Sequence, residues 1–157
     1  MIEFFKYNWI VRDEWLKWCS QLPEEELLKE RIGGMNSFLH TLFHIVDVEQ
    51  SWMRDIKGEK ESFYEFINFS TLETIKHFSE QCKIETEKVV LNWNVEKDYE
   101  QIPCPTSNGE IENFTYGEIL RHVIAHEIHH IGQLSIWSRE VGLVPVSANL
   151  IRKDLFK

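Results

Sequence analysis

Two capping boxes and two glycine stops divide this chain into helical segments. Thr115-Tyr116-Gly117-Glu118 has the form in which a first-turn Glu and an N-cap hydroxyl satisfy each other's free backbone N–H groups. The helix it opens is predicted to run to Glu140 or Val141, with Gly142 as terminator. Ser70-Thr71-Leu72-Glu73 is a second box of this kind, opening a helix that reaches about Asn92. Asn36 or Ser37 caps a further helix to about Ile56, closed by Gly58. Ahead of these, an aromatic-rich helix spans about Ile2 to Gln21, stopped by Pro23, and a short helical turn covers Pro23 to Glu30. Pro103-Cys104-Pro105 and Asn108-Gly109 predict a long loop between Asn94 and Asn113, with a small hairpin at Asn108-Gly109. Four long helices and no convincing strand predict an all-α four-helix bundle.

The 157 residues fit one domain, residues 1–157, and a hydrophobic fraction of 43% supplies its core. A net charge of -9 with no Lys/Arg stripe repels phosphate backbones and anionic headgroups, so neither nucleic acid nor a membrane surface is an expected partner. Charged residues or His interrupt every apolar segment before it reaches the ~20 residues of a membrane span. Cys19, Cys82 and Cys104 are odd in number and lack C-x-x-C spacing, and no apolar leader opens the chain, which together suggest a reducing cytoplasm. Cys104 has nothing nearby in sequence to activate its thiol.

The histidines carry the chemistry. Of seven, His40 and His44 fall in the helix after Ser37, and His122, His126, His129 and His130 fall in the last helix. With about 100° per residue, His126 and His130 align one turn apart at the edge of the apolar face, and His44 lies beside the core edge of its own helix. Imidazoles at i and i+4 reach one divalent cation, and a third from a facing helix completes an open three-ligand site, assigned to His44, His126 and His130. Three neutral nitrogens leave the ion's charge intact and a coordination position free, as catalysis requires. His122 and His129 read as residues that support the ligands from behind or lie at the surface, His40 similarly, and His77 as solvated. Because ligating His must be neutral, acid below about pH 6 is expected to release the ion.

His126-Glu127-Ile128-His129-His130 also matches the H-E-x-x-H of metalloproteases. That reading is weak, since the nearest downstream acid is Glu140 and no sheet is expected to hold a peptide strand. Glu127 falls near the middle of the apolar side, where an ionised carboxylate needs a partner. It is therefore assigned to orienting a ligand, His44 above all, or to serving as a base. Gly132, inside the last helix, suggests close approach by another element. Ile124, Ile128 and Ile131 form a second apolar stripe, either a dimer surface or a bundle contact.

Phe43-His44-Ile45-Val46-Asp47-Val48-Glu49-Gln50-Ser51-Trp52, together with His126-Glu127-Ile128-His129-His130-Ile131-Gly132-Gln133-Leu134, resembles the DinB-like family over nearly the whole chain. This family is related to metal-binding four-helix bundles that include thiol-dependent transferases. It carries three metal-binding His onto His44, His126 and His130, and this sequence departs from it at Ile131, where many relatives have Arg. The resemblance implies a divalent metal, nickel or zinc, a homodimer, and transfer of a low-molecular-weight thiol onto an electrophilic small-molecule substrate. A hydrolase that activates water with the same ion, or a metal-containing binding protein without turnover, are the alternatives.

Overall fold

The computed structural model describes every residue except Glu61, Ser107 and Lys157. Four long helices, α1 (Ile2–Cys19), α3 (Phe38–Lys57), α4 (Leu72–Leu91) and α5 (Tyr116–Glu140), form the bundle, with the short α2 (Glu24–Leu28) between the first two. Helix α3 packs on α4 and α5, and α1 packs on both of these from the other side. Each boundary has a local cause. The Ser37 side chain accepts from His40 N to open α3, and Gly58 closes it at φ 64. At α5 the expected box is complete, with Thr115 N donating to Glu118 Oε2 at 2.7 Å. The box of α4 sits one residue later than predicted, on Thr71 with Thr74 as its partner.

The loop before α5 contains more order than its prolines suggest. Strands β1 (Gln101–Pro105) and β2 (Ile111–Thr115) pair antiparallel, with Pro105 opposite Ile111. Pro103 and Pro105 are tolerated because, among the described residues, the sheet has two strands, so each keeps an edge that needs no donor. The chain after α5 folds back over α1. Tyr7 Oη donates to Ala148 O and Trp18 Nε1 to Val144 O, both at 2.8 Å.

The core is split into two apolar clusters. One gathers Trp15, Phe38, Leu42, Phe78, Leu134 and Trp137, and the other gathers Phe5, Trp9, Met53, Val89, Ile119 and Leu120. Between them, at inward positions of α1, α3 and α5, lie Arg12, Glu49 and Glu127, each 1% exposed. Most of the Trp side chains fill this core, as their helical spacing predicts, while Trp52 and Trp93 stay partly exposed. Gly132 contradicts its expectation, since a Cβ there would meet nothing within 4 Å. No helix among the described residues is long and apolar enough to cross a membrane.

Candidate metal centre

Helices α3 and α5 bring His44, His126 and His130 together so that one ring nitrogen of each lies within 4.8 Å of the others. His126 Nε2 is 3.1 Å from His44 Nε2 and 3.2 Å from His130 Nε2. A tetrahedral ion with Zn–N bonds of about 2.0–2.1 Å requires neighbouring nitrogens roughly 3.3 Å apart. The spacing and the donor set therefore fit a divalent ion. His130 is buried, whereas His44 and His126 keep partial exposure and give the cluster its access to solvent.

Burial sets the protonation state. Loss of solvent, reinforced by the neighbouring imidazoles, lowers the pKa of His44 to about 4 and that of His126 to about 3. His130 is lowered as well, by burial and against the opposing effect of Gln133. All three therefore present neutral rings near pH 7. Gln133 Oε1 accepts from His130 Nδ1 at 2.7 Å, which places the lone pair of that ring on Nε2, facing the other two. The Gln133 amide donates in turn to His129 Nε2 at 3.2 Å. The turn before α3 passes close to Gln133. A Cβ on Gly34, whose φ is +52, would lie 2.8 Å from Gln133 Oε1 and 2.8 Å from Trp137. Sequence reading missed Gln133, although its position three residues after a candidate ligand was the available signal.

Glu127 requires a correction. Instead of orienting His44, its carboxylate accepts from Arg12 Nε at 2.9 Å and from Arg12 Nη2 at 2.6 Å. Arg12 Nη2 also donates to Glu49 Oε2, and Trp9 Nε1 donates to Glu49 Oε1 at 3.2 Å. Burial pulls the Arg12 pKa down, but Glu127 and Glu49 more than offset it and hold it well above the ordinary value. Burial raises the Glu127 carboxyl against the opposing pull of Arg12. The apolar side did demand a partner for Glu127, and the strongest available cation, from α1, supplies it.

The remaining histidines separate as expected from the three. His40 stacks on Phe66 with centroids 4.2 Å apart, His122 meets Trp52 edge-on at 5.4 Å, and His77 is exposed. Ile131 is buried in the core, while Ile128 is 45% exposed, so the second stripe splits between bundle and surface. Cys19, Cys82 and Cys104 are buried free thiols, and burial pushes Cys19 up to about 12 and Cys104 up to about 11. None of them is an activated nucleophile.

The DinB family model matches residues 1–155, almost the full length of the chain. The chain belongs to the DinB family. Within it, an uncharacterised protein of Bacillus subtilis (strain 168), YizA, is 47% identical over 155 residues, covering 99% of this chain and 96% of its own length. Membership in the DinB family and the convergence of three imidazoles are both compatible with a metal-binding protein.

Proposed function

We propose that this DinB-family protein is a divalent-metal enzyme, with His44, His126 and His130 holding zinc or nickel. Its reaction is the transfer of a low-molecular-weight thiol onto an electrophilic small molecule. The observation that carries this reading is the approach of three Nε2 atoms at 3.1 and 3.2 Å, with Gln133 fixing the tautomer of His130. When bound, the ion supplies Lewis acidity that lowers the pKa of a thiol, or of water, at an open position. The chain's own groups do the rest. Neutral imidazoles keep the ion's double charge uncancelled, and the His130 ring is buried on the inner side while His44 and His126 keep partial exposure. In the transfer, sulfur forms a bond to the electrophilic carbon, the leaving group departs with its electron pair, and the thiol proton passes to solvent. Glu127 takes no part in this reading, because Arg12 occupies its carboxylate.

Buried, unpaired cysteines support action in a reducing cytoplasm. An apolar depression lined by Phe4, Trp93, Ile124 and Ile128 supports a homodimer. The test of function is consumption of monochlorobimane by small thiols with tag-free, metal-loaded protein. Metal-dependent loss of both reactants, abolished in His44→Ala, is expected. Turnover of an ester, amide or lactone panel without thiol would replace this reading with hydrolysis, and inactivity in both assays would leave binding alone.

A further inference from the structure

We infer that the pocket walled by Trp52, Phe114, Ile119 and His122 receives the apolar side group of a small molecule whose polar end is held at the His44, His126 and His130 centre. This inference rests on the metal reading above and adds the chemical class of the ligand. The pocket holds about 190 Å³ and lies where α3, β2 and the start of α5 meet. Its His122 wall stands one helical turn from the ligand His126 on α5, and a run of rings links the two. The His126 ring is 5.9 Å from His122, His122 is 5.4 Å from Trp52, and Trp52 is 5.7 Å from Phe114.

Three features set the ligand class. The walls are aromatic and aliphatic apart from the His122 ring and Glu118, and the Glu118 carboxylate is committed to Thr115 N at 2.7 Å. Whole-ligand pockets measure roughly 300–1,000 Å³, so this one suits part of a molecule. A dry apolar cavity of roughly 150 Å³ takes up benzene, so a phenyl or branched alkyl group is the right scale. The acidic rim at Glu118 also disfavours an anionic tail. On the opposite flank of His44 the stacked His40 and Phe66 rings make a second aromatic wall, which the test must distinguish from the first.

The probe is a hydroxamate series, since hydroxamates chelate an open metal site by their polar end whichever reaction the protein catalyses. Acetohydroxamate and phenyl hydroxamates carrying zero to two methylenes are titrated calorimetrically into zinc-loaded protein. At least one phenyl member is expected to bind about tenfold or more tightly than acetohydroxamate. That advantage should disappear in Trp52→Ala and in Phe114→Ala, with zinc content unchanged, and persist in Phe66→Ala. Phe114→Ala serves where Trp52→Ala fails to fold. Equal affinities across the series, or an advantage that survives the Phe114 change and falls with Phe66, would overturn the pocket assignment while sparing the metal centre. Zinc-loaded protein that binds no member would overturn the open-site reading and the pocket with it.

Discussion

His130 Nδ1 donates to Gln133 Oε1 across 2.7 Å within a single turn of α5, so the helix that supplies two of the three imidazoles also fixes the tautomer of one of them. Removing the acceptor with Gln133→Leu should weaken metal binding roughly 10–100-fold, and Gln133→Glu should restore most of the loss. Competition against a chromophoric chelator measures both. Equal affinity in wild type and Gln133→Leu would show that the contact does not tune the ligand.

Gly34 stands at a left-handed backbone position where an added Cβ would run into the same Gln133 side chain and into Trp137. Gly34→Ala should therefore lower both stability and metal affinity. The corresponding change at Gly33, whose Cβ position is open but whose φ is +89, should lower stability alone. Thermal melts of the metal-free proteins, set beside chelator competition, separate the two effects.

The buried charges make a third prediction. Arg12→Met leaves Glu49 and Glu127 without their cation between the two core clusters and should cost about 3–5 kcal/mol of unfolding free energy. Arg12→Met combined with Glu49→Leu and Glu127→Leu should recover most of that loss, because the carboxylates go with the guanidinium. Urea unfolding checks both variants. A single variant as stable as wild type would mean that the triad contributes nothing to holding α1, α3 and α5 in register.

Exposed Gly132 has only open space at its Cβ position, so Gly132→Ala should stabilise the protein by roughly 0.5–1 kcal/mol through helix propensity and the unfolded chain. A calorimetric shift of about +2 °C is the scale to look for. A decrease would indicate a neighbour packed against this face in solution.

Acid sensitivity follows from the depressed imidazoles. In the metal-free protein, His44 and His126 titrate near 4 and 3, whereas an unfolded chain takes up protons near pH 6.5. The unfolded state therefore binds more protons between these limits, and stability falls as the pH drops through that window. Above pH 6.5 the contribution is full and constant. A double variant, His44→Gln with His126→Gln, should show a flatter fall in urea midpoint from pH 6.5 to 4. The same depression moves proton competition with the metal below the pH 6 expected of ordinary imidazoles, which ion release against pH will measure.

The helices were legible because their ends obey local chemistry. Ser37, Gly58, Thr115, Glu118 and Gly142 stand where capping rules put them, and helical phase set His44 at the core edge of α3 and His126 and His130 at that of α5, while their convergence is a property of the fold. What the sequence hid is tertiary. Pro103 and Pro105 disguised β1, since a lone two-stranded hairpin does not need the donors that proline lacks. The periodicity of α5 showed that Glu127 needed a partner, but periodicity carries no information on which residue of another helix meets it, and Arg12 lies 115 positions away. Gln133 was missed for the opposite reason. It is local, but its role depends on the amide facing His130, and a side-chain orientation is absent from a one-dimensional pattern.

Metal content is the most direct test of the account. Protein purified without an affinity tag, stripped and reloaded with zinc, should carry one ion per chain by elemental analysis. His44→Ala and His126→Ala should each lose it while keeping the helical circular dichroism of the wild type. Sub-stoichiometric metal after reloading, or full retention in both variants, would contradict a centre built on these three imidazoles.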